Sequence, residues 1–485
     1  MFEPRIDPPE KFRGRNVTVM GLGLFGGGEG VIRFLTELGA NVTVTDKRSA
    51  QTLAPSLKKL GNLAVKWVLG EHREEDFTNA DLVIPSPAVP RDSPFLQLCI
   101  RQSIPLDTEM NLFFKYCRAK IAAVTGTNGK TTTTTLLGTL ASSAWPKTRV
   151  GGNLGKSLLP NVFEIGSDEW VVLELSSFQL EDLQRLDRRP EVSVVTNVSP
   201  NHLDRHGTYE SYLEAKKNLL APNRSASDTS VDVAILNGED SILRTWSRLR
   251  PKTLFFGRTG NVRPRANGVW IDSEAGEVYL KLGEKTTHLF RTDDLALPGT
   301  FNLLNAAAAA GAAAAMGAPC AGFASAVRSF RTVEHRLEPF YEVNGIRFFN
   351  DSIATTPEST IAALDTLGPK VVLVCGGAGS ADRSYVTLGR AISRGTRNVI
   401  LIGKTAREIR KAIPQRYRGP EVRIAKTFEE AVTIACEQAT PGDNVLLSPA
   451  SASYDMFVNY VERGNRFKAL VRNATLGVDQ VTRAT

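Results

Sequence analysis

The feature that most constrains this chain is a turn rich in glycine and threonine, which lies between an apolar run and a helical one. Residues 121–124 are Ile-Ala-Ala-Val, and TGTNGKTTTTT follows them. Glycines let backbone N–H groups turn inward, a lysine can reach the β- and γ-phosphates, and the next threonine can bind Mg²⁺. The strict phosphate-loop pattern would also need a glycine at Val124. The stretch therefore predicts either a variant ATP site or a threonine-rich turn that only resembles one.

Three segments of the chain each begin with an apolar strand that runs into small residues. In the first, NVTVMGLGLFGGGEGVIRFLTELGANVTVTDKR predicts a strand, a glycine turn, a helix and a second strand. The second continues from the threonine-rich turn through WVVLELSSFQ and VSVVTNVSPNHLD, and the third contains KVVLVCGGAGSADRS, NVILIGKT and DNVLLSPASAS. Polar residues after apolar strands are typical of the carboxyl edge of a parallel sheet. We predict an α/β fold in three domains, residues 1–107, 108–331 and 332–485.

Two stretches of the middle segment predict further elements. NAAAAAGAAAAMGAP is too short for the about 20 residues that cross a bilayer, so it predicts a buried alanine helix that ends near Gly317 and Pro319. VWIDSEAGEVYLKLGEKTTHLF alternates and turns like antiparallel strands, and we place it as a β-ribbon at the edge of the central domain.

Composition argues against several classes of protein. The formal charge of +8 could suit nucleic acid, but the basic residues are dispersed and not interleaved with aromatic ones, so we expect small anionic substrates and no nucleic acid. The five cysteines are scattered without a CxxC pair, which favours a reducing cytosol without disulfides or a zinc cluster. The terminus MFEPRIDPPEKFRGRN has no apolar signal core. We expect a cytoplasmic protein with no membrane span.

The first glycine turn is a weaker candidate site. Gly21, Gly23 and Gly26 match G-x-G-x-x-G after a strand, and Asp46 follows Gly26 by 20 residues at the end of the next strand. The pattern favours a phosphate or diphosphate at the helix N-terminus, with Asp46 near a sugar or base. By itself the pattern would suggest NAD, and a turn that simply packs tightly is the alternative.

Charged residues after two strands of the middle segment suggest a metal site. Glu174 ends an apolar strand, where a carboxylate is costly unless it is paired or metal-bound, and His202 and Asp204 follow the next strand. Because His202, Glu174 and Thr131 can converge at one edge of a parallel sheet, a metal site is favoured over a structural histidine. Lys216 and Lys217 lie on a following helix, where spacing alone indicates only a solvated face.

Eight motifs in this order resemble those of the Mur ligases, and within that family the members that add glutamate. They are TGTNGKTTTT, LELSSFQL, TNVSPNHLDRHG, EAKKN, LPGTFNLLNAAAA, EHRLE, FFNDSIATTPEST and LLSPASASYDMFVNYVERGNRF. The resemblance covers nearly the whole chain. The ATP loop of this family lacks the earlier glycine, so the resemblance favours a variant ATP site over a bare turn.

The resemblance implies roles for residues at matching positions around ATP and two Mg²⁺ ions. Lys216 matches a lysine that is carbamylated in the family and whose new carboxylate binds the second metal. The implied catalytic residues are Lys130, Lys216 and His202, and the implied metal ligands are Thr131, Glu174, His202 and Lys216. The residues implied to bind ATP are Gly126, Thr127, Asn128, Gly129, Lys130, Thr131, Thr132, Asn302, Asn305, Arg336 and Asp351.

The other implied residues contact the acceptor and the incoming amino acid. A UDP-binding first domain would use Gly23, Leu24, Asp46 and Arg48, with Asn153 beside the muramoyl group. Thr355, Ser453 and Tyr460 would hold glutamate.

The implied fold has a Rossmann-like UDP-binding first domain, a central ATPase-like phosphate-loop domain and a Rossmann-like third domain. The implied activity is an ATP-dependent ligase of peptidoglycan precursor synthesis that adds glutamate to UDP-N-acetylmuramoyl-L-alanine through an acyl phosphate. We expect a monomer whose domains close over ATP through hinges near residues 107 and 332.

The chain departs from the family pattern at three places. Ile353 stands where relatives that add D-glutamate commonly have lysine, and Ser380 stands where they often have a basic residue, with Arg383 as a shifted substitute. Losing a cation beside a carboxylate could weaken binding by about 1–3 kcal/mol.

NDSIATTP also resembles a less common variant that adds L-glutamate. D-glutamate is the favoured substrate and L-glutamate the alternative. Phe25, where a small polar residue could meet a phosphate, affects only the details of UDP binding.

Three other classes of protein compete with this interpretation. An oxidoreductase would use the first glycine turn but leaves Lys130, Glu174 and His202 unexplained. Another ATP-dependent amide ligase, such as a folate polyglutamate ligase, is disfavoured by the UDP-type first domain. A non-catalytic nucleotide-binding regulator would lack the carboxylate side chains that bind the metal, and this sequence retains them.

Overall fold

The amino-terminal part of the chain forms a parallel sheet that matches the predicted strand, turn, helix and strand. The computed structural model describes residues 9–23, 26–154, 157–221, 232–260, 266–297, 299–330, 334–379, 384–414 and 419–482. The first sheet has the strand order β3-β2-β1-β4, and every pair in it is parallel. Its elements are β1 (Asn16–Met20), α1 (Gly27–Glu37), β2 (Asn41–Asp46), α2 (Ala50–Leu60), β3 (Val65–Leu69), α3 (Glu74–Thr78), β4 (Leu82–Pro85) and α4 (Pro94–Arg101).

The second sheet contains the threonine-rich turn, between β5 and α6. Its elements are α5 (Glu109–Tyr116), β5 (Lys120–Thr125), α6 (Lys130–Ser142), β6 (Arg149–Gly152), β7 (Trp170–Glu174), α7 (Ser177–Leu183), β8 (Val192–Val195), α8 (Leu203–His206), α9 (Tyr209–Lys217), β9 (Val233–Asn237), α10 (Ser241–Thr245), β10 (Lys252–Arg258), β11 (Gly268–Asp272), β12 (Glu277–Leu282), β13 (Lys285–Arg291), α11 (Thr300–Met316) and α12 (Phe323–Ser329). The strand order is β13-β12-β11-β10-β9-β8-β5-β7-β6. Strands β11, β12 and β13 pair antiparallel at one edge, which confirms the predicted β-ribbon.

The third sheet has the strand order β14-β15-β19-β16-β17-β18. Only the edge pair β14–β15 is antiparallel among the described strands of this sheet. Its elements are β14 (Glu338–Val343), β15 (Ile346–Asn350), α13 (Pro357–Leu367), β16 (Val371–Gly376), α14 (Val386–Gly395), β17 (Thr396–Ile402), α15 (Ala406–Ala412), β18 (Glu421–Ile424), α16 (Phe428–Gln438), β19 (Asn444–Leu447) and α17 (Tyr460–Thr482).

The chain divides into two compact units. The first comprises Met1–Asp294 and Leu304–Ser329 and contains the first and second sheets, and the other comprises Leu295–Leu303 and Phe330–Thr485. Within the first unit, the two sheets share a continuous apolar core, in which Phe34 of α1 packs against Tyr116 of α5 with ring centroids 5.5 Å apart. The predicted domain boundaries at residues 107 and 332 remain predictions.

Local side-chain chemistry determines where helices begin after the strands. In LELSSFQL, the Ser176 side chain accepts from the backbone N–H of Gln179, and the Gln179 side chain accepts from the backbone N–H of Ser176. This capping box satisfies two otherwise unpaired donors at the start of α7. At the start of α9, the Thr208 side chain accepts from the backbone N–H of Ser211, a cap without the reciprocal bond.

The alanine-rich stretch forms a helix, α11, as predicted. Ala306, Ala309 and Ala312 are completely buried, and Gly317 adopts a left-handed conformation directly after the helix, with φ 95°. Small side chains on all faces let neighbouring elements approach the helix closely. No helix in the described part of the chain is both long and apolar enough to cross a bilayer.

Candidate active site

The threonine-rich turn has a backbone shape that only glycine allows at two of its positions. Gly126 has φ 151° and Gly129 has φ 81°. A Cβ atom added to Gly126 would overlap Thr196 Oγ1, and one added to Gly129 would overlap Asn305 Oδ1. The turn therefore packs closely between the end of β8 and α11, and neither position has room for a side chain. Glycines at these positions suit a phosphate loop, because such a loop binds its ligand through backbone N–H groups.

Residues directly after β8 hold the turn. The Asn197 side chain accepts from the backbone N–H of Asn128 at 3.0 Å and donates to the Asn128 carbonyl at 3.0 Å. Thr196 also donates to that carbonyl. Sequence reasoning did not single out these two residues. The available signal was their position at the end of an apolar strand, but it did not reveal that β8 lies beside β5.

Lys130 and Lys216 approach the same carbonyl oxygen of the turn. Lys130 Nζ donates to Gly126 O at 3.0 Å and to Thr127 O at 2.8 Å. Lys216 Nζ donates to Gly126 O at 2.9 Å and lies 3.3 Å from Thr125 Oγ1. The structure therefore brings together two lysine side chains that are far apart in the sequence.

Lys216 is fully buried on α9, so the alternative of a solvated face is wrong for this residue. Burial lowers its pKa well below the usual value, repulsion from Lys130 lowers it further, and Glu174 opposes the shift. Its Nζ lies 4.7 Å from the ring centroid of Tyr212, whose hydroxyl is 2.8 Å from Thr127 Oγ1. Sequence reasoning missed Tyr212, although its spacing of four residues from Lys216 on a helix could have indicated a shared face.

Glu174 is the second centre of the cluster and is nearly inaccessible, at 2% exposed. Thr131 Oγ1 donates to its Oε2 at 2.7 Å, and Asn153 Nδ2 donates to its Oε1 at 2.9 Å. The backbone N–H of Asn153 also donates to the Glu174 carbonyl at 2.8 Å. The predicted convergence of Thr131 and Glu174 is confirmed, and Asn153 joins them from the end of β6.

His202 occupies a strained position at the start of α8. Its φ is 54°, in the left-handed region that non-glycine residues rarely adopt, and such strain is common at functional sites. Its ring packs against Phe178 with centroids 5.0 Å apart. The side chain of Asp204 lies outside the described residues.

Two of the side chains near the turn carry oxygen atoms that can bind a hard divalent cation. Thr131 Oγ1 and the Glu174 carboxylate are ligands that Mg²⁺ prefers. Lys216 carries no oxygen, so it could contribute to a metal site only after carbamylation. Within the described ranges, no group of three or more His, Cys, Asp or Glu side chains is arranged to hold a metal. The two magnesium sites therefore remain a prediction.

In the first glycine turn, Asp46 holds the backbone. Its Oδ2 accepts from the N–H groups of Leu22 at 3.0 Å and Gly23 at 3.3 Å, and its Oδ1 accepts from the N–H of Arg48 at 2.9 Å. Gly23 has φ 66° and Gly26 has φ 88°. The turn is thus prearranged at the start of α1. Leu24 and Phe25 lie outside the described residues.

A cavity lies between the first and second sheets, within the first unit. Among the residues that line it are Ser86, Arg91, Glu109, Gln179 and Asp182. Burial raises the pKa of Glu109, although a hydrogen bond from Ser157 Oγ opposes the rise. Arg91 bonds to Asp182 at 2.5 Å and to Glu181 at 3.2 Å, so it ties the loop after β4 to α7. Sequence reasoning missed this cavity because its walls come from distant segments.

The second unit places Asp351 at the carboxyl end of β15. Its Oδ1 accepts from the N–H of Leu337 at 3.0 Å, and its Oδ2 accepts from Ser448 Oγ at 2.7 Å. Burial raises the pKa of Asp351 to about 6, although these two bonds and Arg336 lower it. Arg336 is half-buried, one residue before Leu337.

The residues implied for glutamate lie on two loops and at the start of α17 in the second unit, near a buried arginine that connects these segments. Arg463 is fully buried, donates from Nε to Ser352 Oγ at 3.0 Å, and donates from its NH1 group to Ser451 O at 3.1 Å. Burial lowers the pKa of Arg463 to about 10. Ser352 Oγ in turn donates to Tyr460 O at 2.7 Å. Sequence reasoning missed Arg463. Thr355 and Ile353 are half-buried, and Ser453 is buried.

The remaining implied residues differ in their surroundings. Asn305 lies beside Gly129 in the first unit, and Asn302 is buried at the start of α11 in the second unit. Ser380 and Arg383 lie outside the described residues.

The sheets and the glycine-lysine-threonine turn define the class of this protein. It is an α/β protein of the phosphate-loop class, in which a parallel strand leads through a glycine turn into a helix.

Comparison with known proteins identifies the family. Residues 15–107 match the model of the Mur ligase MurD-like N-terminal domain, residues 124–313 the Mur ligase middle domain, and residues 335–451 the Mur ligase glutamate ligase domain. Two similar relatives are proteins named UDP-N-acetylmuramoylalanine–D-glutamate ligase. The protein from Roseiflexus sp. (strain RS-1) is 39% identical over 95% of this chain and 99% of the relative. The protein from Symbiobacterium thermophilum is 39% identical over 93% of this chain and 97% of the relative.

A solved structure supports the fold. The UDP-N-acetylmuramate-alanine ligase MurC of Thermotoga maritima has a TM-score of 0.58 at 19% identity and covers 97% of this chain and 100% of its own. The chain belongs to the Mur ligase family. This confirms the resemblance drawn from the motifs and the predicted three-domain α/β architecture, and it makes the chain a ligase.

Proposed function

We propose that this ligase joins the amine of D-glutamate to the carboxylate of UDP-N-acetylmuramoyl-L-alanine at the expense of ATP, in peptidoglycan precursor synthesis. The observation that carries the proposal is the cluster at the carboxyl edge of the second sheet. There Lys130, Thr131, Glu174, Asn153 and Lys216 surround one glycine turn. Such a cluster suits phosphoryl transfer, which depends mainly on positioning and on neutralising charge.

The proposed reaction has two steps. A carboxylate oxygen of the acceptor attacks the γ-phosphorus of ATP, the bond to ADP breaks, and an acyl phosphate forms. The glutamate nitrogen then attacks the acyl carbon, loses a proton, and the C–O bond to phosphate breaks. Lys130 would stabilise the negative oxygens during the first step, because its flexible side chain already lies across the turn.

We propose that Thr131 and Glu174 hold one Mg²⁺, since their oxygens already lie within 2.7 Å of each other. A bound Mg²⁺ would neutralise charge on the phosphoryl oxygens. His202 and Lys216 are proposed for a second ion. Lys216 would serve it as a carbamate, which forms when its neutral amine attacks CO₂ and releases a proton. Its burial favours that neutral amine.

The carbamate proposal has a direct test. Lys216→Ala should lose activity, and short carboxylic acids added to the assay should partly restore it by replacing the missing carboxylate. Lys217→Ala is the matched control, because Lys217 is adjacent, less buried and paired with Glu214, and it should retain activity. Full activity of Lys216→Ala without added acid would contradict the proposal.

We propose that the UDP end lies at the first glycine turn and that the acceptor runs through the cavity towards the phosphate loop. Gly23, Asp46 and Arg48 would contact the nucleotide, and Asn153 would lie beside the muramoyl group. The cavity supports this path, because its lining includes Ser86 after β4 and Gln179 on α7, the helix that follows Glu174.

The assignment of D-glutamate follows the names of three relatives, each of which specifies the D enantiomer. Ile353 still departs from the lysine common in relatives that add D-glutamate.

We propose that glutamate is contacted by Thr355, Ser453 and Tyr460. We propose that the nucleotide is contacted by Asn302, Asn305, Arg336 and Asp351.

The deciding experiment measures phosphate release by the purified protein with ATP, Mg²⁺, UDP-N-acetylmuramoyl-L-alanine and each glutamate enantiomer. We expect release that requires the acceptor and D-glutamate. Release with L-glutamate alone would overturn the choice of enantiomer. NAD binding without any ATP turnover would instead support the oxidoreductase. The cytoplasmic location and the monomeric state remain part of the proposal, and sedimentation velocity tests the latter.

A further inference from the structure

Most of the net charge of the chain lies in one short part of the second unit. Residues 384–414 contain seven basic residues and one acidic residue, Glu408, which is a net charge of +6 out of the +8 of the whole chain. The expectation that the basic residues are dispersed therefore does not hold for this segment, which contains α14, β17 and α15.

Helix geometry places five of these cations on one continuous surface, which we call the basic face. On α14, Arg390 and Arg394 are exposed and four residues apart, so they share one side of the helix. On α15, the exposed Arg407, Arg410 and Lys411 share a side in the same way. The opposite sides of both helices pack into one apolar cluster through Leu388, Ile392 and Ile409.

The two helices are close enough for these cations to act together. A Cβ atom added to Gly389 of α14 would overlap the carbonyl oxygen of Ala412 at the end of α15. Gly389 directly precedes Arg390, and Ala412 directly follows Lys411. The glycine thus lets the helices touch where their basic residues lie.

The cations of the basic face are not held in ion pairs by acidic side chains in the described part of the chain, and exposed Glu408 is the one acidic residue within 384–414. None of its five cations forms an ion pair with a described residue, whereas the neighbouring Arg397 pairs with Asp443 at 2.8 Å. Holding five unpaired cations close together costs repulsion in the free protein. An anionic surface that covers the face would relieve that repulsion.

The chemistry of the face suits anionic lipid headgroups better than nucleic acid. Exposed Val386, at 51% accessible, precedes Arg390 by four residues and lies on the same side of α14, as in helices that rest at a membrane surface. Tyr385, the single aromatic residue of 384–414, is buried, so no ring in this segment is available to stack on a base.

We propose that the basic face docks this protein on membrane surfaces rich in anionic phospholipids. Such docking differs from a membrane span and does not depend on which amino acid the ligase adds. Each basic residue near an anionic bilayer contributes about fivefold in affinity, so five of them suffice for reversible binding. The orientation would place the outer side of α14 and α15 against the headgroups.

The test is co-sedimentation of the full-length protein with vesicles. Vesicles of equal parts phosphatidylcholine and phosphatidylglycerol should bind the protein at low salt and release it at high salt, and pure phosphatidylcholine vesicles should not bind it. R390Q/R394Q should bind about 25-fold more weakly. R407Q/R410Q/K411Q should lose still more affinity. Both variants should keep normal melting temperatures and normal phosphate release in solution.

The matched control is K58Q/R101Q, which removes two exposed cations in the last turns of other helices, α2 and α4. It should bind vesicles like the unchanged protein. Absence of binding to phosphatidylglycerol vesicles at low salt, or an equal loss in the control, would overturn the proposal. Tighter binding of a DNA duplex than of vesicles would overturn it in favour of nucleic acid. None of the vesicle-binding measurements depends on ligase activity.

Discussion

At the scale of single residues, the most unusual contact is the convergence of two lysines on one carbonyl oxygen. Lys130 and Lys216 both donate to Gly126 O, at 3.0 and 2.9 Å. One of the two is buried and has a strongly lowered pKa, while the other is partly accessible and lies directly at the start of α6. The accessible Lys130 is therefore suited to move towards a phosphate group, and the buried Lys216 is suited to stay in place.

Lys130→Ala should reduce kcat on the order of 100-fold or more, because one stabiliser of the transferred phosphoryl group is lost. Steady-state phosphate release measures the effect. Lys147→Ala, which removes an exposed lysine shortly after the same helix, should leave kcat within about twofold. Near-normal activity of Lys130→Ala would show that the turn is not the phosphate site.

Asp351 should make the stability of the protein depend on pH. Its pKa is about 6 in the folded state, above the ordinary 3.8, so the folded state retains a proton that the unfolded state has lost. Stability therefore falls as pH rises, by roughly 1 kcal/mol between pH 5 and 7.5. Asp351→Asn should remove this part of the pH dependence of the melting temperature, and an unchanged slope would contradict it.

At the scale of elements, the strand–turn–helix unit of β5 and α6 depends on neighbours as well as on its own glycines. Residue 129 has a positive φ, as its place in the sequence suggested. It must also lack a side chain, because a Cβ atom there would overlap Asn305 of α11. The first requirement is local and could be predicted. The second belongs to packing and could not, because nothing near Gly129 in the sequence points to residue 305.

Gly129→Ala should lower stability by about 1–2 kcal/mol through the left-handed backbone alone, with further loss from overlap with Asn305. It should also weaken ATP binding. Gly27→Ala is the matched control, since Gly27 begins a helix after the other glycine turn, has no positive φ, and has open space at its Cβ position. Thermal unfolding compares the two, and equal melting temperatures would contradict the packing described for Gly129.

At the scale of the whole molecule, the first unit joins two sheets, and Arg91 crosses from one to the other. It binds Glu181 and Asp182 on α7, next to the cavity lined by Gln179 and Glu109. The ion pairs are partly exposed, so their contribution to stability is about 1 kcal/mol or less. Their importance would lie in aligning the two sheets around one substrate.

Arg91→Ala should raise KM for UDP-N-acetylmuramoyl-L-alanine by at most about fivefold, because the lost ion pairs are worth about 1 kcal/mol or less, while kcat changes less than about twofold. Arg73→Ala is the control, because it removes an exposed ion pair with Glu71 that does not reach α7. It should leave both KM and kcat unchanged. An equal effect of the two substitutions on KM would show that the contact with α7 has no special role.

The sequence alone determined the local structure and the family. Apolar runs, the β-ribbon pattern, the alanine helix and the glycine turns depend on neighbouring residues, and eight ordered motifs identified the Mur ligases. Only the tertiary structure decided which distant residues meet. Thr131 and Glu174 are 43 residues apart, and Lys216 and Gly126 are 90 apart. Strand order and helix packing bring such residues together, as they bring the cations of α14 and α15 onto one face, and sequence spacing does not contain that order.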